Sequence, residues 1–126
     1  MPNTVTRNYT ARTILASTSI GPGGSAVAGT EIDMSTTFGG KITGRIANGA
    51  STPTVGAVAR LMVRQDGSGT AIQAGVLVAG VAANTNYDFV FDVSDFGRVS
   101  IVFDPPTGNA VTAFAYLHEN TSANIS

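Results

Sequence analysis

An alternation of apolar and polar residues over residues 87–103 constrains the fold of this chain more than any other feature. Over residues 87–93 the aromatic side chains occupy odd positions and carboxylates interrupt the even ones, which is typical of a strand with one buried face. Turn-forming residues follow at 94–97, and the alternation then resumes over residues 98–103. The stretch predicts two strands joined as a hairpin.

The same signals recur along the rest of the chain. Further strand-like runs lie at residues 12–17, 25–34, 41–46, 55–65, 70–78 and 111–118. Gly, Pro, Asn and Asp separate them, and Asp66-Gly67 between two apolar runs is a strong turn signal. About eight short strands at this spacing favour an all-β fold, an antiparallel sandwich or barrel. Of these we predict a single antiparallel β-sandwich, jelly-roll-like.

The alternation also predicts which side chains are buried. The predicted core includes Ile14, Leu61, Val63, Phe89, Phe91, Val99 and Ile101. In the last strand we expect Ala113, Ala115 and Leu117 to face the core. Phe114 and Tyr116 would then face outward, against a neighbouring molecule.

The low charge content limits the classes of partner. Charged residues make up 12% of the chain and its net charge is -1, against roughly 25% charged residues in ordinary domains. Such a surface does not suit nucleic acid, whose binding depends on neutralising phosphates. A nearly neutral surface also disfavours a monomer, so we expect self-association as a trimer or another cyclic oligomer.

Compartment signals are few. The chain has no Cys, which is compatible with assembly in a reducing cytoplasm. Its first residues do not resemble a signal peptide, and the weakly polar segment at residues 74–83 is about half the length needed to span a bilayer. We expect a soluble protein without a membrane partner.

No constellation of residues predicts catalysis. His118 is the only histidine and lacks nearby ligands or a nucleophile motif, so we expect an ordinary surface side chain. Asp88 and Asp92 are four residues apart on one strand face, or roughly 13 Å, which is too far for glycosidase chemistry. Turn formation explains Asp66 and Asp92 more simply than calcium binding does. We expect no enzyme activity, no cofactor and no metal.

The two ends of the chain differ from the middle. Residues 1–11 are polar and lack a period, which predicts an N-terminal arm, and residues 120–126 predict a polar C-terminal tail. The β-sandwich domain would then span residues 12–119. The arm is rich in β-permissive residues, which favours docking by strand addition to an exposed sheet edge.

Three short motifs carry a resemblance to a known group of proteins. They are Ile-Asp-Met-Ser at residues 32–35, Leu-Met-Val-Arg-Gln-Asp-Gly at residues 61–67, and Phe-Gly-Arg-Val-Ser-Ile at residues 96–101. In this order, after a first strand that ends in a Gly-rich turn, they resemble small β-sandwich structural proteins of tailed bacteriophage virions. Phe96, Arg98 and Val99 hold that group's aromatic-x-Arg-Val signature.

The resemblance implies a non-enzymatic virion protein, assembled in the host cytoplasm. Its expected role is a capsid decoration or cement protein that binds the major capsid protein or another virion scaffold. The alternative is a tail-fibre or head-fibre component, or a carbohydrate-binding module for host recognition that uses Tyr9 or Tyr116. The chain lacks the Trp that sugar-binding relatives carry after Asp66-Gly67.

Overall fold

The structure, a computed structural model, describes the backbone of residues 5–35, 39–64, 69–94 and 96–125, and the side chains of those between residues 10 and 119. Within these ranges the chain forms nine strands and no helix. The strands are β1 (Val5–Ile20), β2 (Val27–Ala28), β3 (Ile32–Asp33), β4 (Gly40–Asn48), β5 (Val58–Arg64), β6 (Ile72–Val78), β7 (Asn86–Asp92), β8 (Arg98–Asp104) and β9 (Val111–Ile125).

The strands form two antiparallel sheets in jelly-roll order. Sheet A has the order β1-β9-β4-β7, and sheet B has the order β2-β8-β5-β6, with β3 also paired to β8. Because β2 and β3 both pair with β8, they act as two pieces of one strand, and eight full strands remain. Of these, only β5 and β6 follow each other in the chain and also pair within one sheet. The prediction of an all-β jelly-roll sandwich is confirmed.

The predicted hairpin over residues 87–103 is wrong. Strand β7 pairs with β4 in sheet A, whereas β8 pairs with β5 in sheet B. The connection between them crosses from one sheet to the other, and it is anchored in both. The Val93 N–H donates to the Gly40 carbonyl at 3.1 Å, and the Gly97 N–H donates to the Arg64 carbonyl at 3.0 Å. Alternation marks the buried face of a strand but does not identify its neighbour.

The predicted strand at residues 25–34 is divided into β2 and β3. Between the two pieces the Gly29 N–H still donates to the Ile101 carbonyl of β8 at 2.9 Å, but the Thr30 N–H donates to the Ile14 carbonyl of sheet A at 2.8 Å. Gly29 permits this close approach, since a Cβ there would lie 2.5 Å from the Ile14 side chain. Ile32 and Met34 are both buried, because residues two apart on a strand share a face.

The core lies between the inner faces of the two sheets. Six of the seven predicted core residues are buried, and the seventh, Phe91, is half-buried and packs against them. Ala113, Ala115 and Leu117 are fully buried, and the half-buried Phe114 and Tyr116 alternate with them on the outer face. Among the described side chains the largest fully buried one is Phe103, whose ring centroid lies 6.1 Å from that of Phe89.

Each of the three aromatic side chains of β7 occupies space left by a glycine on another segment. A Cβ added to Gly44 would lie 2.1 Å from the Phe89 ring, and one added to Gly75 would lie 2.9 Å from the Phe91 ring. A Cβ added to Gly80 would lie 2.6 Å from the Tyr87 hydroxyl. These glycines are therefore required by packing, because any larger residue would have to displace an aromatic ring.

Strands β1 and β9 extend beyond the sandwich. Strand β9 pairs with β4 only as far as Glu119, whereas its pairing with β1 continues from Tyr9↔Asn120 to Val5↔Ile125. We call residues 5–9 and 120–125 the terminal ribbon. Parts of the predicted arm and tail thus pair with each other, while residues 1–4 and 126 lie outside the described residues. The division of the chain into arm, domain and tail stays a prediction.

Candidate functional site

The residues considered for catalysis lie apart from one another or already have structural partners. The exposed His118 on β9 contacts Thr43, with 2.9 Å between its Nε2 and the Thr43 hydroxyl. Asp92 accepts hydrogen bonds from the backbone and hydroxyl of Ser94 at 3.0 and 2.7 Å. Among the described residues, no group of three or more His, Cys, Asp or Glu side chains could hold a metal ion. Asp66 lies outside the described residues.

The outer face of sheet A carries the most organised cluster of polar and aromatic side chains. We call it the aromatic face, and define it by Thr43 and Arg45 of β4, Asp88 of β7, and Phe114, Tyr116 and His118 of β9. The register Arg45↔Asp88 and Arg45↔Phe114 places three of these side chains in one row across the sheet. Thr43 and Tyr116 occupy the next row, beside Val90, whose side chain is 61% exposed.

The two aromatic rings of this face contact each other and a cation. The centroids of Phe114 and Tyr116 are 5.5 Å apart and their planes are tilted by 46°, a favourable arrangement for ring quadrupoles. The guanidinium carbon of Arg45 lies 5.8 Å from the Phe114 centroid, within the range of a cation–π contact. Strand alternation produces this pair, because residues two apart on β9 share a face.

An ion pair fixes the orientation of Arg45. Its Nε and Nη2 donate to the two carboxylate oxygens of Asp88 at 2.6 and 3.3 Å, a two-point contact that suits the planar guanidinium. These hydrogen bonds lower the pKa of Asp88 and raise the pKa of Arg45. The pKa of Asp92 at the edge of the same face is lowered by its hydrogen bonds from Ser94 and by the nearby charge of Lys41.

The outer face of sheet B is different in character. Its valines and one methionine form what we call the apolar face: Val58, Met62, Val76, Val78 and Val102. Val76 and Val78 on the edge strand β6 are 49% and 68% exposed. Arg60 lies among them and pairs with Asp104 at 2.9 Å. Exposed apolar side chains gathered on one face are typical of a surface that another molecule covers.

The terminal ribbon begins where the sandwich ends. Arg12 on β1 and Glu119 on β9 form an ion pair at 3.5 Å there, and the Glu119 side chain is only 5% exposed. Beyond Glu119, β9 no longer pairs with β4, and β1 is the outermost strand of sheet A. Both strands of the ribbon therefore present one unpaired backbone edge among the described residues. The side chain of Tyr9, a candidate sugar-binding residue, lies outside the described side chains.

The sequence predicted part of the aromatic face and missed the rest. It placed Phe114 and Tyr116 together on one side of the last strand, and Asp88 on one strand face with Asp92. It did not associate them with Thr43 and Arg45. These residues come from separate strands, and the signal available was only that each occupies an outward position in an alternating pattern. The strand order that joins them is a tertiary property.

Comparison with solved structures finds proteins of similar fold. No known protein family matches the sequence, and no curated protein is significantly similar to it. The crystal structure of the SPBc2 prophage-derived protein YomS is similar to this chain with a TM-score of 0.52 and 14% identity, covering 90% of this chain and 95% of that one.

Two other solved structures are similar at a TM-score of 0.47. One is a structure of infectious bursal disease virus, Gx strain, with 16% identity over 93% of this chain and 32% of that one. The other is Family 16 Carbohydrate Binding Module-2, with 15% identity over 87% of this chain and 75% of that one. At these identities the likenesses concern the β-sandwich fold alone, which is shared by proteins of different function.

Proposed function

We propose that this chain is a non-enzymatic structural protein of a tailed bacteriophage virion, a decoration or cement protein that binds the capsid surface. The observation that carries this proposal is the terminal ribbon. An isolated two-stranded ribbon is marginally stable in water, and residues 5–9 and 120–125 pair with no other described strand. A ribbon of this kind is stabilised when a partner adds a strand to one of its edges.

The ribbon has the reach and the backbone chemistry for such a contact. Five residues of β1 extend roughly 17 Å at the usual rise per residue. Each free edge offers alternating N–H and carbonyl groups, which bind an extended segment without requiring a particular sequence. Holding the ribbon in one place costs about 1–2 kcal/mol per residue in backbone entropy. Attachment of several linked copies would offset this, because the later contacts become intramolecular.

The apolar face supports association between copies of the chain on the scaffold. The sequence suggested Phe114 and Tyr116 as the contact, but both are half-buried and surrounded by polar groups, whereas Val76 and Val78 are more exposed. We therefore assign the contact between copies to the apolar face. Val76→Asp should abolish the oligomer in native mass spectrometry. Val90→Asp, which introduces the same charge on the aromatic face, should leave the oligomer intact.

Incorporation into particles tests the function. Full-length protein and a truncation to residues 10–119 would be expressed in cells that produce the particle, and the purified virions would be quantified by mass spectrometry relative to the major capsid protein. The truncation removes the ribbon together with residues 1–4 and 126, and it keeps Arg12, Glu119 and every core residue that the structure describes. It should fold with a nearly unchanged melting temperature and be depleted from virions.

Attachment through the ribbon and the virion role can be refuted separately. If the truncated chain is incorporated as well as the full chain, the ribbon is not the attachment element. If the full-length chain is absent from purified virions, the virion role itself is wrong.

A further inference from the structure

We infer that the aromatic face of sheet A is a saccharide-binding site, with Tyr116 as the stacking platform and Asp88, Arg45, Thr43 and His118 as hydrogen-bonding groups. The inference concerns a different surface from the terminal ribbon and does not depend on the virion role. It rests on the kinds of side chain that sheet A brings together and on the contacts that already fix them.

A pyranose ring has two chemical requirements. One side of the ring presents C–H groups, which pack against an aromatic ring, and its rim carries hydroxyls that both donate and accept hydrogen bonds. Tyr116 supplies the aromatic surface at the centre of the face, held by the ring of Phe114 at 5.5 Å. Phe114 also contacts Arg45, whereas Tyr116 has no cation over its ring among the described contacts.

The groups around Tyr116 match the rim of hydroxyls. Asp88 is an acceptor, Arg45 has five N–H donors of which the ion pair uses two, and the Thr43 hydroxyl and the His118 ring can each serve as donor or acceptor. Strands β7, β4 and β9 span about 10 Å at the usual strand spacing. That distance accommodates one or two sugar rings lying across the sheet.

These polar side chains are also held in place before any ligand arrives. The two-point contact orients Arg45 and Asp88, and the 2.9 Å contact orients Thr43 and His118. A prearranged set of donors and acceptors loses less conformational freedom on binding than mobile side chains would. A small number of placed polar groups beside an aromatic surface fixes the orientation of a ligand as well as giving it contact area.

The contrast between the two outer faces favours a saccharide over a macromolecular partner. A protein surface suits the apolar face of sheet B, where Val76 and Val78 are exposed. The aromatic face instead pairs Asp88 with Arg45 and carries Asp92 beside Lys41 at its edge, so it offers no excess of positive charge for the phosphates of a nucleic acid.

A glycan array probed with the full-length chain, followed by calorimetric titration of the strongest soluble glycan, tests the inference. The wild type should bind at least one glycan. Tyr116→Ala should weaken binding at least about tenfold, since a buried aromatic anchor is the usual source of such losses. Asp88→Ala should do the same through the lost acceptor. Tyr116→Phe, which keeps the ring, should remain within about threefold of the wild type, because ring stacking needs no hydroxyl.

Control variants separate a binding role from a folding role. The Asp88 side chain is 60% exposed, so Asp88→Ala reports on binding even if Tyr116→Ala fails to fold. Val55→Ala, at a side chain that is 59% exposed and belongs to neither the aromatic face nor the apolar face, should leave glycan affinity unchanged. The inference is wrong if the wild type binds no glycan on the array, or if neither Tyr116→Ala nor Asp88→Ala reduces affinity. Loss of virion incorporation by Asp88→Ala without any glycan binding by the wild type would show that the face is a protein interface instead.

Discussion

Replacing Gly44 with alanine should destabilise the protein far more than a single added methyl group suggests. Gly44 lies in the middle of β4, between Thr43 and Arg45 of the aromatic face. A Cβ there would lie 2.1 Å from the Phe89 ring and 2.6 Å from the Phe114 carbonyl oxygen. Ordinary contacts begin at 3.4 Å. The Phe89 ring would have to retreat by roughly 1 Å in a close-packed interior.

The core leaves that ring little room to move. Phe89 packs against Phe91, with centroids 5.3 Å apart, and against the fully buried Phe103 at 6.1 Å. Overpacking of this kind costs about 1–3 kcal/mol, and the second clash with a backbone oxygen of β9 puts Gly44→Ala at the upper end. For a domain of this size about 3 kcal/mol lowers the melting temperature by roughly 10 °C.

Urea unfolding at equilibrium measures the effect. Gly49→Ala is the matched control, because a Cβ there would meet no atom within 4 Å, and we expect a change below about 0.5 kcal/mol. Phe89→Leu removes the end of the ring, so the Gly44→Ala/Phe89→Leu double variant should lose at least about 1 kcal/mol less than the sum of the single changes. A Gly44→Ala variant as stable as Gly49→Ala would refute the packing argument.

Three further predictions concern the core, the loop before β7 and the stability of the protein at low pH. Phe103→Ala should cost about 3–5 kcal/mol in urea unfolding because it removes the largest fully buried side chain; a loss under 1 kcal/mol would contradict the core assignment. Asn48→Ala should cost about 1–3 kcal/mol and speed amide exchange in residues 79–85, since the buried Asn48 amide donates to two carbonyls of that loop at 3.0 and 3.1 Å; unchanged exchange would count against this anchor. The hydrogen bonds from Arg45 lower the pKa of Asp88 in the folded state. The ionised Asp88 therefore stabilises the fold at pH values above its ordinary pKa of about 3.9. This stabilisation is lost as the pH falls through the ordinary pKa and then through the lower pKa of the folded state. Asp88→Asn should therefore weaken the pH dependence of the urea midpoint below about pH 4, and an unchanged profile would show that this ion pair contributes nothing measurable.

Local alternation was enough to predict the class of fold and the buried side of most strands. Leu61, Val63, Val99 and Ile101 are buried as predicted, and Ala113, Ala115 and Leu117 face the core. This succeeded because successive side chains of a strand point to opposite faces whatever strand lies beside it. The turn residues likewise marked where strands end, because Gly, Pro, Asn and Asp act through their own backbone preferences.

Only the tertiary structure decided which strands are neighbours. The alternation in β7 and β8 is equally compatible with a hairpin and with a connection between sheets, and the second arrangement is observed. The pairing of Gly44 with Phe89 is likewise a tertiary contact, since the two residues meet only when β4 and β7 are adjacent. The aromatic face has the same origin. Thr43, Asp88 and Tyr116 are distant in sequence, and a single sheet order brings them to one surface, because strand pairing is set by the whole core and not by any one strand.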